Sequence, residues 1–154
     1  MISMNGPVVE IRELCQGDRA EWLSMRVKLW SIDYRNERKH SSQMADIERD
    51  YDKTVFLAFV NGQPVGFAEC SVRSYVDGCE SSPVGYLEGI FVEEPFRRQG
   101  VGRELVEMVK SWSREKGCRE MGSDSDIQNE VSYHMHLALG FHEVERVINW
   151  RIDL

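Results

Sequence analysis

Arg97-Arg98-Gln99-Gly100-Val101-Gly102-Arg103 is the stretch on which the reading of this chain turns. Before it lies Val84 to Val92, a run of small and apolar residues holding one acid, Glu88. That composition predicts a buried strand, and Pro95 ends the strand region. After it, Val101, Leu105, Met108 and Trp112 recur at helical spacing. They predict a helix from Gly100 to Lys116, stopped by Gly117. Glycines between a strand and a helix let the backbone approach a ligand closely. The first helical N–H groups have no acceptor inside the helix, and the helix dipole adds positive charge there. The segment therefore suits an anion such as a pyrophosphate. Arg98 and Arg103 can add charge-assisted contacts. The spacing is neither the Gly-x-Gly-x-x-Gly of dinucleotide folds nor the Gly-Lys-Ser/Thr of nucleoside-triphosphate loops.

Outward from this segment the chain alternates strand and helix signals. Val8 to Arg12 alternates as a strand. Asp18 is placed to cap a helix running to about Tyr34, with Trp22, Met25, Leu29 and Ile32 on one stripe and Leu23 and Trp30 on its neighbour. A polar stretch, Arg35 to Ser42, leads into a weaker helix over Gln43 to Tyr51. Thr54 to Val60 reads as a buried strand, Asn61-Gly62 as a hairpin turn, and Pro64 to about Val76 as the returning strand. Asp77-Gly78 and Ser81-Ser82-Pro83 punctuate a loop. Arg119 to Ser123 is a short strand, Asn129 to Leu139 a helix stopped by Gly140, and His142 to Ile152 a closing strand. The expected order, β-α-α-β-β-β-α-β-α-β, describes one α/β (α+β) domain over residues 1–154, a mixed central sheet flanked by helices.

Composition narrows the function. Of 154 residues, 42% are hydrophobic, and 6 Phe, 4 Trp and 5 Tyr supply a core, which argues against disorder. The net charge of −7 argues against a protein that neutralises nucleic-acid phosphates and fits a cationic partner better. No apolar run approaches the ~18 residues of a membrane span. Met1 to Glu10 lacks the basic and apolar regions of a secretory signal. Cys15, Cys70, Cys79 and Cys118 form no Cys-x-x-Cys pair and no zinc-type spacing with histidine, so free thiols in a reducing cytoplasm and no metal are expected.

Arg97-x-x-Gly100-x-Gly102 after an apolar strand resembles the acyl-CoA pyrophosphate motif of the GNAT superfamily of N-acetyltransferases. The element order follows that fold along nearly the whole chain. A closer likeness rests on Ser81-Ser82-Pro83-Val84-Gly85-Tyr86-Leu87-Glu88-Gly89-Ile90-Phe91-Val92, on Ser123-Asp124, and on His136-Leu137-Ala138-Leu139-Gly140-Phe141-His142-Glu143-Val144-Glu145-Arg146-Val147. With Leu29-Trp30 and Tyr75-Val76-Asp77-Gly78, these segments resemble the aminoglycoside 6′-N-acetyltransferases of the chromosomal Gram-negative subgroup. The resemblance implies acetyl-CoA as co-substrate, an aminoglycoside antibiotic as acceptor and a homodimer whose C-terminal strands contribute to the contact. A GNAT enzyme acetylating another small polyamine or a protein amine stays open as the alternative, because the fold accepts many amines.

Acetyl transfer from a thioester to an amine needs a neutral amine, donors for the developing oxyanion and a proton for the departing thiolate. Glu88, an acid in an otherwise apolar strand, suits the first task, since desolvation raises a carboxyl pKa and makes a better base. The resemblance places Ile90, Phe91 and Val92 along the pantetheine arm. It places Arg98, Gln99, Gly100, Val101, Gly102 and Arg103 on the pyrophosphate, and Asn129 near the thiol end. Asn129 also reads as a helix N-cap. Where many GNAT enzymes carry a Tyr, on the helix before Leu139-Gly140-Phe141, this sequence has His136, whose imidazolium can donate the thiolate's proton; Tyr133, one turn away, and a thiolate that leaves unassisted are the alternatives. The resemblance assigns Trp30, Tyr75, Glu88, Asp124 and Glu145 to the acceptor, where carboxylates and flat rings suit a polycationic amino sugar.

Overall fold

The computed structural model describes residues 6–30 and 37–154. Its five strands are β1 (Val9–Glu13), β2 (Lys53–Val60), β3 (Gln63–Arg73), β4 (Val84–Val92) and β5 (Met121–Ser123), paired in the order β1-β2-β3-β4-β5. The first three pairings are antiparallel and β4–β5 is parallel, which makes the sheet mixed. The four helices are α1 (Arg19–Leu29), α2 (Glu37–Arg49), α3 (Val101–Glu115) and α4 (Glu130–Ala138).

Each face of the sheet is closed by its own helices. On one face α3 buries Val101, Leu105, Val106 and Val109 against Ala58, Val65, Leu87 and Ile90, and Met135 of α4 and Leu139 just after it pack on the same cluster. On the other, Trp22 and Met25 of α1 and Met44 of α2 meet Val55, Leu57, Phe67 and Phe91. Fully buried aliphatic side chains such as Leu57, Leu87 and Leu105 stabilise the fold by roughly 1.5–3 kcal/mol each. β2 is buried at every position after Lys53, which accounts for its unbroken apolar run.

Several element ends differ from the sequence expectation, each for a physical reason. Asp18 occupies the N-cap position of α1 without capping it; its carboxylate accepts from both Arg12 Nη atoms at 2.6 and 2.9 Å and from the Cys15 N–H at 2.8 Å. The expected run of this helix to Tyr34 lies outside the described residues. α2 starts at Glu37, within the stretch read as a polar lead-in, because His40, Met44 and Ile47 continue one stripe at helical spacing through a charged surface. β3 ends at Arg73 instead of Val76.

The closing strand expected over His142 to Ile152 is not formed; residues 141–154 have no strand pairing within the chain. Val147, Ile148, Trp150 and Ile152 are exposed along it. The alternating pattern is present, but an isolated extended segment gains no ladder hydrogen bonds without a partner strand.

Candidate acyl-transfer site

The site is organised by an irregularity in β4. Glu69 pairs with Gly89 and Cys70 with Leu87, so Glu88 is the extra residue of a β-bulge. The bulge shifts the pleat by one: Leu87 and Ile90, three apart, face the same α3-side cluster, while Phe91 turns to the opposite one. Glu88 is thereby re-aimed out of the core and sits half-buried. Its Oε1 accepts from Ser71 Oγ at 2.5 Å, and Arg73 Nη2 lies 2.8 Å from each carboxylate oxygen.

Trp30, just past the end of α1, covers this part of β4. A Cβ on Gly89 would lie 2.4 Å from the indole, so only glycine admits the ring there. The Arg26 guanidinium stacks 4.5 Å from the Trp30 ring centre. Between α1, α2 and the sheet opens a cleft of about 460 Å³, lined by Trp30, His40, Arg73 and Glu88 among others. Its floor is a buried polar network. Arg26 Nε donates to Glu69 Oε1 at 2.7 Å, Trp22 Nε1 donates to the same oxygen at 2.9 Å, and Arg26 Nη1 lies 2.6 Å from His40 Nδ1. Burial pushes the Glu69 carboxyl above its ordinary range, with Arg26 and Trp22 pulling the other way. Burial and the Arg26 charge hold His40 below the usual imidazole range, so its Nδ1 is the acceptor of the Arg26 bond.

On the other side of Glu88 the sheet forks. β5 follows β4 only through Gly85, Tyr86 and Leu87, so among the described residues Glu88 to Val92 keeps one edge without a partner strand. At the fork, Ser123 Oγ donates to the Leu87 carbonyl at 3.0 Å and lies 2.8 Å from His136 Nε2. His136 Nδ1 donates to the Ser132 carbonyl at 2.7 Å. The Ser123 hydroxyl has a single hydrogen. Turned to Leu87, it accepts from a protonated Nε2; turned to Nε2, it serves a neutral ring.

The N-terminus of α3 stands against that open edge, with Gly102 next to Ile90 and Val92 side chains. Gly100, the N-cap, has φ of 88°, a conformation glycine adopts without strain, and no side chain caps the helix. Arg98 is also left-handed, at φ 61°. The first intrahelical bond runs from the Glu104 N–H to the Gly100 carbonyl, leaving the N–H groups of Val101, Gly102 and Arg103 without an acceptor in the helix. Space in front of Gly100 is open. Two side chains of the motif serve the loop itself: Gln99 Nε2 donates to the Pro95 carbonyl and Arg97 Nε to that of Val92. Arg103 Nη2 donates to the Ala138 carbonyl at 3.3 Å, tying α3 to the end of α4. Asn129 caps α4, its Oδ1 accepting from the Ser132 N–H.

The residues expected to meet the acceptor are not gathered in one hollow. Trp30 and Glu88 line the cleft. Asp124 reaches Glu88 through two other residues: Tyr86 Oη donates to Asp124 Oδ1 at 2.7 Å, and the Arg73 guanidinium lies over the Tyr86 ring and on Glu88. Burial, then the bond to Asp124, pushes the Tyr86 phenol above its ordinary range. Tyr75 is exposed on the β3–β4 loop, where it donates to Asp77 and feels the charge of Glu145. Both lie on segments that find no strand partner within the chain. The cleft itself mixes Arg26, Lys39, Lys53 and Arg73 with Asp46, Glu69 and Glu88, and so is not lined by carboxylates alone. The sequence carries no signal for Ser71 and Arg73, and it marks Tyr86 and Ser123 only as members of the segments that carry the resemblance, with no role of their own.

An open strand edge running into an uncapped helix N-terminus, with an acid on a bulge beside it, defines an acyl-transfer cleft, and the sequence profile of the Acetyltransferase (GNAT) family matches residues 18–141. The chain belongs to that family. Within it, the chain is 40% identical over 144 residues to aminoglycoside N(6′)-acetyltransferase type 1 of Salmonella enteritidis, an alignment covering 93% of this chain and 98% of the relative. It is 42% identical over 144 residues to the protein of the same name from Serratia marcescens, covering 92% and 97%. The solved structure of AAC(6′)-Iy in complex with the bisubstrate analog CoA-S-monomethyl-acetylneamine matches with a TM-score of 0.88 at 39% identity, covering 96% of this chain and 99% of that one. Among the described residues, no helix is long and apolar enough to cross a membrane and no cluster of three His, Cys, Asp or Glu side chains is arranged to hold a metal ion.

Proposed function

We propose that this protein is an aminoglycoside 6′-N-acetyltransferase: a single GNAT domain, cytoplasmic, that moves the acetyl group of acetyl-CoA to the 6′-amine of an aminoglycoside by direct attack in a ternary complex. The observation that supports it most is the placement of Glu88, set out of the β3 pairing by the bulge at the residue where β4 loses its β5 partner. The relatives named above carry that activity in their names.

Acetyl-CoA fits what the chain offers. The free N–H groups of Val101, Gly102 and Arg103, with Arg98, Gln99 and Gly100 shaping the turn, would hold the pyrophosphate. The unpaired edge of Ile90, Phe91 and Val92 would pair with pantetheine amides as a strand does, and Asn129 would face the thiol end. Glu88 removes a proton from the attacking ammonium, the amine forms its bond to the acetyl carbon, and the C–S bond breaks. His136, held by Ser123 and Ser132 at the fork of the sheet, returns a proton to the departing thiolate. Trp30 and Tyr75 offer flat faces to the sugar, and Glu88, Asp124 and Glu145 offer charge to its ammonium groups. The protein acts as a homodimer in which the exposed apolar segment around Val147, Ile148, Trp150 and Ile152 finds its partner.

Thiol release from acetyl-CoA with kanamycin, tobramycin or spermine as acceptor tests the reading. Turnover with either antibiotic is expected; turnover with spermine alone, or none, overturns it. Asp124→Asn is expected to weaken tobramycin binding roughly ten- to a hundredfold, the range for a charge-assisted contact. Acetyl-CoA affinity is expected to stay within about twofold, because Asn still accepts from Tyr86 and the residues at the α3 N-terminus are untouched. Isothermal calorimetry of both ligands checks it, and equal loss of both affinities counts against an acceptor role.

A further inference from the structure

We propose that Arg73 is a specificity-determining residue: in the free protein its guanidinium holds the place between Glu88 and Tyr86 that an ammonium group of the acceptor takes on binding. The proposal rests on the acceptor site read above and adds a residue to it.

Arg73 closes β3, opposite Val84. Its Nη2 sits 2.8 Å from both oxygens of Glu88, with Nε at 3.3 Å from Oε1. Its Cζ lies 3.5 Å from the centre of the Tyr86 ring, whose hydroxyl donates to Asp124. One cation thus bridges a carboxylate and an aromatic face, the chemistry that recognises an ammonium group, with Asp124 one hydrogen bond beyond the ring. The Arg73 and Glu88 side chains are 42% and 32% exposed, so water reaches the pair and the guanidinium can leave. Ser71, itself buried, keeps its bond to Glu88 Oε1 and holds the carboxylate in place when it does. Exchanging a guanidinium for an ammonium leaves the local charge constant. A neutral sugar has no cation to exchange and leaves Glu88 covered. Arg73 thereby sets a threshold that only cationic acceptors cross.

The test is calorimetric binding of tobramycin to the intact protein and to Arg73→Gln and Arg73→Ala, at low salt. An open ion pair with an aromatic face beneath it is worth about a five- to tenfold change in affinity. Both variants are expected to bind tobramycin tighter by about that factor, and the acceptor KM is expected to fall with it. Added guanidinium ion is expected to compete with tobramycin in Arg73→Ala, where it refills the vacated place, and not in the parent protein at the same concentration. Weaker or unchanged tobramycin binding in both variants overturns the proposal and makes Arg73 a positioning residue for Glu88. Acetyl-CoA affinity confirms that each variant is folded, and Arg73→Lys, expected to bind as the parent does, replaces one that is not. Binding that tightens as expected while no acceptor is acetylated would overturn the reaction assigned above and leave the role of Arg73 standing.

Discussion

Replacing Glu88 with Gln is expected to lower kcat about 10²- to 10⁴-fold with an aminoglycoside acceptor, the span a positioned general base contributes. The variant is nearly isosteric. Its Oε1 still accepts from Ser71 Oγ, so the bulge and the cleft are kept; the lost charge contact with the acceptor falls on KM and the lost proton transfer on kcat. Acetyl-CoA affinity is expected to change by less than about twofold, because the N–H groups at the start of α3 and the open edge of β4 do not involve the carboxylate. The split between kcat and the acceptor KM separates a base from a mere binding charge: a lost base lowers kcat, whereas a lost contact charge raises KM. Steady-state kinetics with tobramycin in both proteins measures it. A Gln variant that keeps the parent's kcat would remove Glu88 from the proton transfer.

How much of this site the sequence disclosed depends on whether the signal was local. The β4 run from Val84 to Val92 was read with both ends correct, because an apolar stretch bounded by Pro83 and Pro95 is a contiguous pattern. The Asn61-Gly62 turn was equally plain, with both residues in the left-handed region. The glycines at 100 and 102 announced the helix N-terminus. The bulge at Glu88 was hidden, since it exists only in the register of β4 against β3, and Gly89 beside it marks a close backbone approach as readily as a slip in the pleat. Arg73 read as strand interior for the same reason: its partners at 86 and 88 are set by the hairpin, not by neighbours in the chain. The failure at His142 to Ile152 is of another kind. Alternation was present, but a strand also needs a partner, and residues 141–154 pair with no edge of the sheet.

The buried pair beneath the cleft was the least legible feature of all, joining residues from α1 and β3, and it carries the largest expected effect on stability. Arg26 and Glu69 are 5% and 3% exposed. Two charges so deep gain little net stability as a pair, because desolvation offsets most of their attraction. Removing one partner is different. Arg26→Met leaves Glu69 with the Trp22 N–H and no cation, and the expected cost is about 3–5 kcal/mol near neutral pH. The pH dependence follows from the direction of the shift. Burial already raises the Glu69 carboxyl, and without Arg26 it rises further in the folded state than in the unfolded chain. The folded variant then binds a proton that the unfolded chain releases, so its stability is greatest in acid and declines as pH rises through the folded-state value. The difference from the parent is therefore expected to shrink toward pH 5 and widen toward pH 8. Adding Glu69→Gln removes the stranded charge while keeping an oxygen for Trp22, and is expected to restore most of the loss at neutral pH. Urea unfolding of the parent, the single and the double variants at both pH values measures each step. A double variant no more stable than Arg26→Met would mean that the cost lay in lost packing of the arginine stem and its stacking on Trp30, and not in an unpaired carboxylate.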